Sequence, residues 1–275
     1  MSAWTILAPA LAVCLLMLIA HTYLGLHVLA RGIIFVDLAL AQIAVLGVSL
    51  AFLAGYDTHS VHAHAFAFGS ALIAGGGFAL LRRIPNKVTR EVAIGCAYVV
   101  ATALTVVILS RSTQGVEELK GMLNGNILFV RWSEVAVLAT AYALLALLHS
   151  VFFRRFYALS FTPERGGRRV FLWEFLFFAS FALVITLGVD LAGVLLVFAY
   201  LIIPAFSASL LTSAFRRRLP IGVLLGLAGS VAGLWLSYLA DLPTGPTVVT
   251  VLGLLPVAAA LAQPLLRMVG RKRIA

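Results

Sequence analysis

Charged residues are scarce in this chain: Asp, Glu, Lys and Arg make up 11% of its 275 residues, whereas 63% are hydrophobic. Ordinary soluble domains carry about a quarter charged residues, so this composition excludes a soluble globular protein. The mean hydropathy is +1.09. Apolar stretches of roughly 17–25 residues recur along the whole length, which predicts an all-α, polytopic membrane protein.

Motifs for catalysis and nucleotide binding are also missing. The sequence has no GxxxxGK[ST] phosphate-binding loop and no GxSxG, HExxH or CxxC spacing, so we expect neither an ATP site nor an enzyme. Its two cysteines, Cys14 and Cys96, lie within apolar runs, where packing is the expected role. Because no basic leader precedes them, residues 4–29 are expected to form a retained helix rather than a signal peptide.

The apolar stretches predict about nine transmembrane helices, with eight or ten also possible, in one transmembrane domain over residues 1–275. The predicted spans are 4–29, 33–55, 64–81, 91–110, 133–152, 170–189, 191–214, 219–239 and 246–266. The polar segment 111–132 is expected to be an outer loop with an interfacial or re-entrant helix. Gly222, Gly226, Gly229 and Gly233 follow a small-xxx-small spacing that favours close helix packing.

The net charge of +10 follows the predicted topology. Seventeen of the 20 Lys and Arg residues lie in one set of alternate connections, and only Arg111, Lys120 and Arg131 lie in the other. Since basic residues concentrate in cytoplasmic loops, the first set is predicted to be cytoplasmic, with the amino terminus outside. The charge therefore indicates membrane topology, and we expect no nucleic-acid partner.

Two polar residues interrupt the second span, "RGIIFVDLALAQIAVLG". Asp37 is expected about two turns from the cytoplasmic edge, and Gln42 lies deeper, near the midplane. An ionisable group within a bilayer costs several kcal/mol, roughly 2.5–3.5 on insertion scales, so it indicates a partner or a pathway. Two interpretations remain open: both residues line a translocation path, or Asp37 pairs with Arg31 while Gln42 bonds to a neighbouring helix.

Two connections carry further candidate residues. In the outer loop "GYDTHSVHAHAFAFG", His59, His62 and His64 are candidate metal ligands, although a solvated polar loop is the simpler interpretation. The cytoplasmic stretch at about 153–169 is amphipathic, with aromatic residues among arginines. Such a segment either lies on the membrane surface or docks into a groove of a soluble partner.

Several stretches resemble the integral-membrane permease subunits of ATP-binding cassette importers for zinc and manganese. "FVDLALAQIAVLGVSLAFL" is similar to that family's Gly-Asp-Ala-Leu-Ala-His run followed by Pro-Gly, and "YALSFTPERGG" to its Phe-Asp-Pro-Glu docking loop. "GVLLVFAYLIIPAFSASLL", "LSYLADLPTGPTVV" and "EELKGMLNGNILFV" also resemble family elements. The resemblance covers about residues 20–255.

The resemblance implies a permease subunit that imports a divalent metal cation across the cell membrane, in bacteria the inner membrane. Its partners would be a second permease copy, a solute-binding protein and a separate ATPase subunit, which holds the ATP. No cofactor would be bound by this chain. The residues at the docking motif are Phe161, Thr162, Pro163 and Glu164.

The sequence departs from the family pattern at the intramembrane motif. Aligning Leu46 and Gly47 with the family's Pro-Gly places Gln42 at its His and Leu38 at its Asp, with Asp37 displaced by one position. Zinc sites use Cys, His and carboxylate ligands, so this motif does not identify the transported cation. Thr162 likewise stands where the family has Asp. The alternative function is a gradient-driven secondary transporter with Asp37 as the coupling group.

Overall fold

The computed structural model describes residues 3–111, 115–125, 127–162 and 168–271, and all regular structure in those ranges is helical. The helices are α1 (Ala3–Arg31), α2 (Val36–Leu53), α3 (Val61–Leu81), α4 (Lys87–Leu109), α5 (Gly115–Asn124), a 3₁₀ turn (Ile127–Phe129), α6 (Trp132–Val151), α7 (Phe153–Phe161), α8 (Arg168–Leu211), α9 (Phe215–Ala240), α10 (Thr244–Leu252) and α11 (Leu254–Arg271).

Eight helical segments of the described chain are long and apolar enough to cross a membrane, and the longest, Val170–Leu211, has 42 residues, which is enough for two crossings. Its helix is broken at Gly193, where φ is 76° and ψ is 162°. A methyl group added at Gly188 would lie 3.1 Å from the Val197 side chain. In one straight helix nine residues span about 13.5 Å, so the chain folds back on itself here. With two crossings in this helix the described chain has nine, which agrees with the prediction of about nine and lies within the predicted range of eight to ten.

The turn within α8 lies at Gly193, later than residue 190, where the predicted spans 170–189 and 191–214 meet. The reason is steric: a Cβ at Gly193 would lie 2.4 Å from the backbone nitrogen of Gly125, just after α5. Only glycine combines this positive φ with such a close backbone approach. The short helix expected in segment 111–132 is α5, which packs against α4, α8 and α10.

Helices α8 and α2 form the centre of the bundle. α8 packs against α1, α2, α3, α9 and α11, while α2 lies between α3, α4 and α8. The glycines of α9 face their neighbours, as predicted. A Cβ at Gly222 would meet the Thr22 side chain at 2.8 Å, and one at Gly233 would meet the Val248 Cα at 2.7 Å. Small residues thus set the close packing of α9 against α1 and α10.

Candidate translocation path and docking helix

Asp37 lies in the first turn of α2, one residue after the helix begins, and not two turns inside the span as the sequence suggested. Its side chain is fully buried, and neither carboxylate oxygen has a hydrogen-bond partner among the described residues. The amino terminus of a helix favours negative charge, which offsets part of the burial penalty. The rest of the burial penalty is not offset by any hydrogen bond of the side chain to a described residue, so packing alone does not explain why a carboxylate stands at this position.

Gln42 is the seventh residue of α2 and is 3% exposed. Five residues correspond to about 140° of rotation, so Asp37 and Gln42 face different neighbours around one central helix. Further along α2, Gly47 permits a close approach to α3, since a Cβ there would lie 2.5 Å from the carbonyl oxygen of Phe66. The motif therefore fixes α2 tightly against α3 while burying both polar side chains.

Arg31 does not pair with Asp37. Its Nη1 donates to Glu174 Oε2 at 2.7 Å, its Nε donates to Ser160 Oγ at 2.8 Å, and its guanidinium lies 3.8 Å from the centroid of the Phe177 ring. Arg82, at the end of α3, bonds the other oxygen of Glu174. This cluster joins α1, α3, α7 and α8, and the alternative pairing of Asp37 with Arg31 is wrong.

A cavity of about 310 Å³ opens where the α2–α3 loop, α5 and α8 meet. We call it the outer cavity, because it lies on the side of the bundle that is predicted to face outward. His64 Nδ1 donates to the Ser60 carbonyl at 2.7 Å, and its Nε2 lies 3.1 Å from Asp190 Oδ2. His59 Nδ1 lies 3.7 Å from Asp190 Oδ1. The polar side chains that line the cavity are Thr58, His59, His64, Glu117, Glu118, Thr186 and Asp190.

His62 is separate from this cavity, because its ring stacks on Tyr56 with centroids 4.4 Å apart. The structure therefore brings His59 and His64 together through Asp190 but does not bring the three histidines to one point. Across the described ranges, no three His, Cys, Asp or Glu side chains are grouped so as to hold one metal ion. Sequence reasoning missed Asp190, which is adjacent to none of these histidines in the chain.

The predicted docking segment begins with α7, which follows α6 after a one-residue break. One face of α7 is buried: Phe156 is inaccessible and stacks on His149 with centroids 4.0 Å apart. Phe161 packs on Tyr157 and Phe215, with centroid distances of 4.6 Å and 4.7 Å. Thr162 is exposed at the end of the helix. Pro163 and Glu164 lie outside the described residues.

The remaining histidines of the membrane helices, His21, His27 and His149, are packed inside the bundle. His149 bonds Tyr23 and Ser180 at 3.1 Å and 2.8 Å, and His27 bonds Ser160 at 2.7 Å. His21 bonds the Met17 carbonyl at 2.9 Å. These hydrogen bonds anchor the three rings within the bundle.

Known proteins resemble this chain over nearly its whole length. The manganese transport system membrane protein MntC of Listeria innocua is 26% identical over 83% of this chain and 80% of its own length. The manganese import system permease protein ScaB of Streptococcus gordonii is 25% identical over 90% of this chain and 88% of its own. The solved structure of PsaBC from Streptococcus pneumoniae, in complex with Fab, superposes with a TM-score of 0.75 at 22% identity, covering 96% of this chain and 95% of that one.

The family assignment follows from the match of the whole bundle. Residues 3–263, from the start of α1 into α11, match the ABC 3 transport family. Such a chain is the multi-pass membrane permease subunit of an ATP-binding cassette importer, and the ATPase is a separate subunit. The chain belongs to the ABC 3 transport family.

Proposed function

We propose that this permease conducts a divalent transition-metal cation, preferring manganese over zinc, from the outer cavity towards the cytoplasm. The observation that carries the proposal is the composition of that cavity. Three carboxylates, those of Glu117, Glu118 and Asp190, and two imidazoles line it. A cleft lined by one sign of charge concentrates the opposite ion, so this surface would attract cations.

The pair formed by His64 and Asp190 has suitable geometry for brief cation contact. Two neighbouring ligands of an octahedral ion, each at about 2.1 Å and at right angles, lie about 3.0 Å apart. The Nε2 to Oδ2 distance is 3.1 Å. Conduction requires binding that is strong enough for capture and weak enough for release. A two-donor contact supports such a role better than a closed metal site with three or four ligands.

The residues of α2 support manganese as the preferred ion. Asp37 and Gln42 supply oxygen donors, which suit manganese, whereas zinc favours imidazole and thiolate. Gln42 also replaces the histidine of the related motif, which removes a nitrogen ligand from this helix. The relatives MntC and ScaB are both named for manganese transport.

The partners follow from the ABC transporter assembly to which such permeases belong. We propose that a second copy of the permease completes the path, that a solute-binding protein delivers the cation at the outer cavity, and that the ATPase docks on α7. In support of the last point, Arg154 and Arg155 are exposed on α7 while its apolar face is buried. Family membership decides against the gradient-driven alternative, because ABC permeases are driven by their ATPase.

The test compares two carboxylates at the outer side. Asp190→Asn removes the charge inside the cavity, and the control Asp241→Asn removes one at an exposed turn where φ is 51°, a conformation that Asn also accepts. With the ATPase reconstituted in liposomes, we expect Asp190→Asn to raise the KM for manganese uptake about tenfold, or ~1.4 kcal/mol, and the control to leave it unchanged. Equal KM values in the two variants would overturn the role of the cavity.

A further inference from the structure

A larger cavity, of about 870 Å³, lies at the other end of the bundle, where α1, α3, α4 and α8 have their predicted cytoplasmic ends. We call it the basic cavity, because five of its described lining side chains are cationic and one is a carboxylate. The cationic side chains are Arg31, Arg82, Arg83, Lys87 and Arg90, and the carboxylate is Glu174.

Glu174, the carboxylate among the described lining residues, already forms ion pairs. Glu174 is 3% exposed, and its two oxygens bond Arg31 and Arg82. Within the described ranges, no carboxylate lies within 4 Å of the charged groups of Arg83, Lys87 or Arg90. Arg83, Lys87 and Arg90 thus carry three positive charges without a carboxylate partner among the described residues. They lie at the predicted membrane interface, where a counter-anion is strongly favoured.

Buried donors add to this demand for an anion. Nη2 of Arg31 and Nε of Arg90 are both buried and have no hydrogen-bond acceptor among the described residues. Arg31 itself is only 9% exposed. Guanidinium groups bind phosphate oxygens through paired hydrogen bonds, so a phosphate group matches the donors present better than a weakly accepting anion would.

The walls of the basic cavity are apolar, which indicates a ligand that has a hydrocarbon part as well as a charged group. Its lining includes Ile33, Phe78, Ile94, Phe171 and Phe178. Its volume lies within the ~300–1,000 Å³ typical of sites for small organic ligands. Inorganic phosphate would fill only the charged end and leave the hydrocarbon walls uncovered. A phospholipid places phosphate and acyl chain together at this depth of the membrane.

We propose that the basic cavity binds the phosphate of an anionic phospholipid of the cytoplasmic leaflet, with an acyl chain along its apolar wall. The bound phosphate would neutralise part of the excess charge of Arg83, Lys87 and Arg90. It would also join the α3–α4 turn to α1 and α8, which already meet at Glu174. This proposal is independent of the transported cation.

The test measures lipid binding to the purified full-length chain in neutral detergent by native mass spectrometry. The probe is phosphatidylglycerol, with phosphatidylcholine of the same chain length as the zwitterionic control and inorganic phosphate as the competitor. Arg83→Gln/Lys87→Gln removes two exposed charges of the cavity. Arg216→Gln/Arg217→Gln removes two exposed charges elsewhere on the same predicted face and is the matched control.

Each basic residue near an anionic membrane strengthens binding about fivefold, so we expect phosphatidylglycerol to bind the cavity variant roughly 25-fold more weakly than the control variant. Phosphatidylcholine binding should be weak and equal in both. If the double variant is not monodisperse, Lys87→Gln alone carries the same test with a fivefold loss. Equal phosphatidylglycerol affinity in the two variants would overturn the site. Displacement of the lipid by millimolar inorganic phosphate would overturn the lipid assignment and make free phosphate the ligand.

Discussion

Asp37 combines full burial with two unpartnered carboxylate oxygens. Because Arg31 is committed to Glu174 and Ser160, no basic side chain of α1 neutralises Asp37. A carboxylate in this state destabilises the protein unless a proton or a cation reaches it. The fold therefore accepts a loss of stability at Asp37, which indicates that the carboxylate has a functional role. Removal of its charge should impair transport without destabilising the protein.

We expect Asp37→Asn to reduce manganese uptake at least tenfold while leaving membrane abundance equal or higher, since the amide has no ionised form to bury. Uptake in cells, normalised to permease abundance, measures the effect. Gln42→Ala provides the comparison and should reduce uptake less, because an amide offers a dipole rather than a charge. Restoration of uptake by an Arg31/Asp37 charge swap would contradict the geometry described here.

Gln42→His tests the choice of cation. Imidazole adds a nitrogen ligand within α2, so we expect the ratio of zinc to manganese uptake to rise severalfold, or zinc to remain trapped and inhibit uptake. Competition among zinc, manganese, iron and cobalt in the same uptake assay measures this ratio. A profile identical to that of the unmodified protein would show that Gln42 is not on the path.

At the scale of elements, the ion cluster around Glu174 ties α7 to the membrane helices. Glu174→Gln leaves the buried guanidinium of Arg31 without its carboxylate. We therefore expect a loss of about 3–5 kcal/mol in the free energy of unfolding. Glu134→Gln is the control, because its pair with Arg131 is exposed, with an N–O distance of 3.8 Å, and should change stability by only ~0–1 kcal/mol. Thermal unfolding in detergent compares the two, and equal shifts would show that the cluster is not structural.

The docking role of α7 gives a second prediction at this scale. Phe161→Ala opens the cluster with Tyr157 and Phe215, so we expect less ATPase association and fewer cations transported per ATP hydrolysed. Phe161→Leu, which retains most of the apolar contact, should preserve both. Unchanged coupling in the alanine variant, with the protein still in the membrane, would argue that α7 packs against the bundle without transmitting the motion of the ATPase.

The sequence was informative about elements and much less so about pairings. Apolar length predicted the nine crossings, because a membrane span is a local property of about 20 residues. It also identified Asp37 and Gln42, since a polar group within such a run is visible on its own. It could not identify Glu174 as the partner of Arg31, which lies 143 residues away, or Asp190 as the partner of His64. These contacts depend on which helices become neighbours, and no local pattern contains that information.

At the scale of the whole molecule, both cavities depend on one topology. The outer cavity and the basic cavity lie at opposite ends of the bundle, and the α3 helix connects them, beginning at Val61 and ending at Leu81. The outer cavity must face outward for cation capture, and the basic cavity must face the anionic cytoplasmic leaflet. The 17 basic residues assigned to the cytoplasmic side predict this orientation, since positively charged loops are retained inside.

Cysteine substitutions at two valines test that orientation directly, because Val61 at the start of α3 and Val88 at the start of α4 lie on opposite sides of the membrane in this topology. Val61 is 83% exposed at the start of α3, and Val88 is 69% exposed in the first turn of α4, so neither change to cysteine removes a buried contact. In a background with Cys96→Ser, which removes the exposed native thiol, an impermeant maleimide should label Val61→Cys in intact cells. It should label Val88→Cys only after the membrane is permeabilised. α3 crosses the membrane once between these positions. Labelling of Val88→Cys alone in intact cells would therefore show that the whole bundle has the inverted orientation, with the outer cavity facing the cytoplasm.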